Sequence, residues 1–300
     1  MIDAFTDTLQ AFPRGLGFVA LALIVLLLAK LARDMVTSYR IDEEVTDKNN
    51  VAVALRLSGY LAGVILVFLG ALYQPQTLIP VDGFGFDRAY GTEVLRVFIY
   101  SIAGIVALNL VRLLIDRLIL FRFNIDDEVV RDQNVGTGAA EFGVYVATGL
   151  LIAGAVAGEG GATELAAALT ALAFFGMGLG LLVIFALFYQ ITTPFDIHSE
   201  IEGKNTAVGV AFGGNLVAIG LVTLKALFGD FVSWGESIAV FLTFAVIGFV
   251  LLYLLRILID LLILPTVRIS NALAEGRNIG VAFIESAVVI SAALILFLAI

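Results

Sequence analysis

Eight stretches of this chain are apolar for long enough to cross a lipid bilayer, and that constrains the fold more than any other feature. A hydrocarbon core of ~30 Å needs about 20 consecutive apolar residues per helix. The stretches are Gly15–Leu31, Val51–Tyr73, Val94–Leu120, Asn134–Gly158, Leu165–Tyr189, Thr206–Phe228, Ser237–Leu264 and Ile279–Ile300. They are continuous and do not alternate, which predicts helices and not barrel strands. Hydrophobic residues make up 61% of the chain and charged residues 14%. Soluble domains run nearer ~45–50% and ~25%, so a soluble globular protein is excluded. Asp3, Asp7 and only Arg14 precede the first stretch, and no small-residue cleavage site follows it. It therefore reads as a retained helix and not a removed signal peptide.

The basic residues predict an orientation. Lys30, Arg33, Arg40 and Lys48 flank the first connection, and Arg112, Arg117, Arg122 and Arg131 flank the third. Lys204 lies in the fifth, and Arg256, Arg268 and Arg277 flank the seventh, against Arg14, Arg88, Arg96 and Lys225 on the other side. By the positive-inside rule the odd connections are cytoplasmic and both termini lie outside. The chain has no cysteine and one histidine, His198 in the fifth connection, which is expected to be solvated. Disulfides, thiolate sites, haem and zinc therefore find no ligand set, and no cofactor or metal is expected. The net charge of −9 argues against nucleic acid as a partner. No Ser/His/Asp set, phosphate loop or metalloprotease motif is present, so an enzyme is not expected.

Each odd connection carries one local pattern. It reads IDEEVTDKNNVAVA from Ile41, IDDEVVRDQNVGTG from Ile125, IHSEIEGKNTAVG from Ile197 and ISNALAEGRNIGVA from Ile269. Apolar residues stand four apart (Ile41/Val45, Ile125/Val129, Ile197/Ile201, Ile269/Leu273), then an Asn opens the next helix. Those residues are Asn50, Asn134, Asn205 and Asn278, with small residues two and four places beyond each. The third copy is one residue shorter, and the fourth has Ala272 where the first two have Glu44 and Glu128. A second layer pairs the hairpins, because RLLIDRLIL from Arg112 matches RILIDLLIL from Arg256. The expected fold is therefore all-α, with eight transmembrane helices in two tandem four-helix modules, 1–160 and 161–300. All hairpins face one way, which implies a pseudo-symmetry axis along the membrane normal.

The segments IEGKNTAVGVAFGGNLVAIG (201–220), DFVSWGESIAV (230–240) and EGRNIGVAF (275–283) resemble the YjfL family of bacterial inner-membrane proteins. That resemblance implies a four-helix domain of uncharacterised function, here in double copy. It also implies a bacterial cytoplasmic membrane and a link to envelope-stress proteins.

For the four asparagines the economical reading is an N-cap, in which the side-chain oxygen accepts an orphan backbone N–H. The small residues behind them, and Gly59-x-x-x-Gly63, Gly176-x-x-x-Gly180 and Gly209-x-x-x-Gly213, would let neighbouring backbones approach closely. The apolar pairs fit a one-turn helix in the headgroup region. The competing reading gathers the four caps at one mouth as an ion site.

Charges within the spans are the candidate functional site. Arg112 and Asp116 share a face of the third helix, and Glu141 sits seven residues into the fourth, about 10 Å from its start. Arg256, Asp260 and Glu285 repeat the set. Charges at the centre of a span cost about 2.5–3.5 kcal/mol each on insertion scales, so these groups should be paired or face water. One reading is a structural salt bridge, and the other is a proton- or cation-binding carboxylate in a water-filled cavity. Arg56 stands in the second helix, whereas the aligned residue of module two is Ala211, so Arg56 could neutralise one carboxylate site only. Asn109 and Asn215 read as interhelical hydrogen-bond partners, Trp234 as an interfacial anchor, and Gln74–Glu93 as a lid or partner surface. The leading expectation is a small-ion or proton-linked channel or transporter. The alternative is a membrane scaffold whose cytoplasmic loops, with Glu44, Glu128 and Glu200, recruit a peripheral stress-response or lipid-remodelling protein. Self-association into a homo-oligomer is open in either case.

Overall fold

A computed structural model describes residues 2–73, 87–120, 124–158, 163–265 and 267–299 of the protein, without the side chains of 2–11, 113–117 and 164. The expected outer surface at Gln74–Glu93 therefore falls mostly outside the described residues, as does the Asp116 side chain. The described chain is helical throughout: α1 (Ile2–Val36), α2 (Val51–Leu72), α3 (Arg88–Leu118), α4 (Val135–Val156), α5 (Glu164–Thr192), α6 (Ile197–Glu202), α7 (Thr206–Leu227), α8 (Trp234–Leu258), α9 (Ile269–Ala274) and α10 (Ile279–Ala299). All but α6 and α9 contain a span long and apolar enough to cross a membrane, eight in total.

α2, α4, α7 and α10, the helices that follow the four Asn motifs, form a single row in that order. Because the spans alternate in direction, these four run parallel. α1 and α3 flank α2, while α5 and α8 flank α7. α4 and α7 are the most enclosed spans and α1 the least. The α4–α7 contact, which crosses from one module to the other, is nearly as extensive as α2–α4. The row is therefore one continuous core.

Glycine makes the row. A Cβ added to Gly143 of α4 would sit 2.3 Å from the Gly213 Cα of α7, and one on Gly149 would sit 2.5 Å from the Gly63 Cα of α2. Backbones this close gain dispersion and weak Cα–H···O contacts that larger side chains would prevent. Gly176 and Gly180 depart from the expected pattern, since a Cβ at either would meet nothing within 4 Å. They lie on an outward face of α5, a helix outside the row.

The motif itself is a tight connector. The four residues before the asparagines (Asn49, Gln133, Lys204 and Arg277) all have positive φ, between 44° and 60°. A short helical turn closes on this left-handed residue, and the next residue begins the following helix. In copies one and two the turn is π-helical, over Glu43–Asp47 and Asp127–Arg131. Copy three, shorter by one residue, is the ordinary α-helix α6. The extra residue is absorbed as a wide turn, as in the Lys48 N–H to Glu43 carbonyl bond at 3.1 Å. The apolar pairs turn toward the protein interior. Ile41, Ile125, Ile197 and Ile269 are buried, as are Val129, Ile201 and Leu273, because each short turn tucks beneath the row.

Candidate functional site

Each of the four asparagines caps its own helix. Asn50 Oδ1 accepts from Ala52 N at 3.1 Å, Asn134 from Thr137 N at 3.2 Å, Asn205 from Val208 N at 3.3 Å and Asn278 from Val281 N at 3.2 Å. The amide nitrogens of the first three also reach the next repeat. Asn50 donates to the Val129 carbonyl at 3.0 Å, Asn134 to Ile201 at 2.6 Å and Asn205 to Leu273 at 2.9 Å. Their other amide hydrogens go to Glu44, Glu128 and Glu200 at 3.1, 2.7 and 2.9 Å. These asparagines are thus hydrogen-bonded within the protein, strung along the row and not gathered at one mouth. The three glutamates belong to the same connectors, Glu44 buried and Glu128 and Glu200 half-buried.

The carboxylates lie deeper, one per module. Glu141 on α4 is buried, and its Oε1 lies 3.1 Å from Arg56 Nε of α2, an ion pair whose N–H is not aligned as a hydrogen bond. Arg56 is itself buried and donates from Nη1 to Asp126 Oδ1 at 2.7 Å. Arg112 also pairs with Asp126. Burial alone would push the Asp126 carboxyl up, but Arg56 and Arg112 outweigh it and hold the group below the usual aspartate range. Two guanidiniums thus meet two carboxylates.

Module two keeps Arg256 and Glu285 but replaces both of the other partners. Ala211 stands where module one has Arg56, and Ser270 where it has Asp126. Arg256 donates to Thr193 Oγ1 at 2.8 Å and Ser270 Oγ at 3.2 Å, and its guanidinium lies 5.3 Å from the centre of the Tyr189 ring. Asp260 accepts from the Ile269 N–H at 2.7 Å, holding the start of α9. Glu285 on α10 is 0% exposed. Its Oε1 accepts from Tyr189 Oη at 3.3 Å and Asn215 Nδ2 at 3.2 Å, and its Oε2 has no hydrogen-bond partner. Among the described residues no basic group lies within ion-pair distance of Glu285. Arg256, Asp260 and Glu285 thus form no direct ion pair with one another, and Tyr189 stands between Arg256 and Glu285, its ring facing the guanidinium and its hydroxyl bonded to the carboxylate.

The chain matches the family described as Domain of Unknown Function, DUF350, over residues 7–156 and again over 163–300. It belongs to the DUF350 family. It is also 22% identical, over 258 residues, to a "UPF0719 transmembrane protein" of Aquifex aeolicus (strain VF5), covering 85% of this chain and 88% of that protein. No solved structure matches. The protein is thus a multi-pass transmembrane member of an uncharacterised family, matched twice along its length. The YjfL name itself finds no support in these matches.

Within this DUF350 chain, sequence reasoning passed over Tyr189 and counted Arg33 only as a topological charge. Aligned from the first motif to the third, the two occupy one position. Arg33 is buried between Tyr60 and Tyr145, its guanidinium 5.5 and 5.3 Å from their ring centres. Module one therefore adds a second cation where module two places a neutral phenol. His198 is not solvated as expected. It is buried, with Nε2 2.7 Å from the Ile119 carbonyl and Nδ1 3.2 Å from Gln190 Oε1, joining the fifth connection to α3 and α5. Trp234 stacks on Phe174 with ring centres 5.9 Å apart. Nearby, a cavity of about 150 Å³, lined in part by Phe174, Asp230 and Glu236, opens at the end of the row away from the motifs. Among the described residues no three His, Asp or Glu side chains come together as a metal would require.

Proposed function

We propose that the protein carries protons across the membrane and that Glu285 is the group that takes up and releases them. The observation that supports this is the enclosure of Glu285 with two neutral donors on one oxygen and none on the other. A buried carboxylate with no ion-pair partner, and Arg256 only beyond the Tyr189 ring, is costly by several kcal/mol or more unless a proton compensates it. A single carboxylate with neutral partners suits one proton better than a metal cation, which would need several oxygen ligands. Glu285 stands seven residues into α10, about 10 Å from the motif end. On this reading the motif end faces the cytoplasm of a bacterial inner membrane and both termini face outward. No catalytic step is involved. Glu141, neutralised by Arg56, is a structural counterpart.

Proton flux in proteoliposomes under an imposed pH gradient tests the reading. Glu285→Gln keeps an acceptor for Tyr189 and Asn215 and should abolish flux, while Arg256→Lys should retain it in part. Undiminished flux in Glu285→Gln, or no flux in the folded native protein, would overturn the proposal and favour a scaffold role.

A further inference from the structure

The row of parallel helices follows one rule at each of its three joints. The asparagine of one repeat donates its amide to a backbone carbonyl of the next, at Val129, Ile201 and Leu273 in turn. The ninth residue after that asparagine packs on the eighth residue after the next one. The pairs are Gly59 on Phe142, Gly143 on Gly213 and Gly214 on Ser286, where an added Cβ would meet the opposite Cα at 2.5, 2.3 and 3.0 Å. Both features hold across the boundary between the modules as well as within them.

The row then stops with half a joint at each end. Asn278, unlike the other three asparagines, is exposed, and among the described residues its amide meets no acceptor. Its ninth residue is Ala287, also exposed, on a face continued by exposed Ser291. At the other end the carbonyl equivalent to Val129 is that of Val45, and among the described residues no side chain donates to it. The eighth residue after Asn50 is Ser58, which is exposed and donates only to the Ala54 carbonyl of its own helix, at 2.7 Å. One end therefore presents the donor half of the joint and the other end presents the acceptor half.

We infer that the occupant of both half-joints is a second copy of this chain, docked head to tail. α10 of one protomer lies against α2 of the next, with Ala287 on Ser58 and the Asn278 amide on the Val45 carbonyl. The interface continues the one already repeated three times inside the chain. It is heterologous, so it closes into a ring or propagates as a line of protomers in the membrane. Lipid covering both faces is the other outcome, and it leaves a monomer.

The chain has no cysteine, which permits a clean cross-linking test. Differently tagged Ser58→Cys and Ala287→Cys chains, co-expressed and oxidised in native membranes, should give a mixed disulfide-linked dimer. Neither variant alone should give the same product. Absence of the mixed dimer, or an equal yield from either variant alone, overturns the interface. Native mass spectrometry gives an independent reading. The native protein should leave detergent as an oligomer, and Ala287→Trp should convert it to a monomer with unchanged thermal stability. A monomeric native protein would contradict the inference.

Discussion

The two halves matched by the family repeat the same asparagine motif and differ in what they bury. In module one Arg56 meets both Glu141 and Asp126 and Arg112 meets Asp126, so each carboxylate has a guanidinium within ion-pair distance, and Arg33 lies between two tyrosine rings nearby. In module two the positions of Arg33 and Arg56 hold Tyr189 and Ala211, and that of Asp126 holds Ser270. Glu285 keeps its place on the equivalent helix but loses its cation. The difference shows that duplicated scaffolds can diverge in electrostatics while the glycine-packed row and the asparagine caps stay the same. A carboxylate that is ion-paired in one copy meets only neutral hydrogen-bond donors in the other.

The contrast can be broken most directly by neutralising each carboxylate in turn. Glu141→Gln leaves the buried Arg56 with Asp126 as its one carboxylate among the described contacts, beside the Tyr39 hydroxyl. Loss of one partner from a buried pair costs about 3–5 kcal/mol, read as a large fall in the detergent unfolding midpoint. Glu285→Gln removes no ion pair and should leave that midpoint within the error of the native value. Equal destabilisation by the two changes would contradict the assignment of separate roles.

The shared scaffold gives the next largest effect. Gly143→Ala forces a Cβ against the Gly213 backbone, and overpacking of this kind costs about 1–3 kcal/mol. Gly176→Ala, facing open space, should be neutral. The caps come third. Asn134→Ala removes a cap and two further bonds, so it should cost more than Asn278→Ala, which loses a single exposed cap worth about 1 kcal/mol.

The smallest effect is a pH dependence confined to module one. The folded Asp126 carboxyl is held below its ordinary value. The stability it contributes is therefore fully present above the usual aspartate pKa of ~3.9, and it is lost as pH falls through the lower folded value. The unfolding midpoint of Asp126→Asn should accordingly fall less than that of the native protein on acidification below about pH 4. Ser270 gives module two no such term.

Eight spans, the four-fold motif and the asparagine caps were legible because hydropathy and capping are local. The Arg56/Ala211 difference was legible too, because the repeats align residue by residue. The partners of the carboxylates were not. Depth reasoning matched Glu141 with Arg112 and Asp116 of the preceding antiparallel helix, its neighbour in sequence. The closer approach is to parallel α2, brought in by Gly59, Gly63 and Gly149, and it delivers Arg56. Lateral order in a helical row is a tertiary property that no single span encodes. The same limit hid Tyr189 and the burial of His198.

Infrared difference spectroscopy on the purified protein, titrated through neutral pH, reads the state of the carboxyl groups most directly. The account predicts a protonated carboxylic acid band that vanishes in Glu285→Gln and persists in Glu141→Gln. Absence of that band from the native protein, or its survival in Glu285→Gln, would contradict the assignment of Glu285 as the proton site.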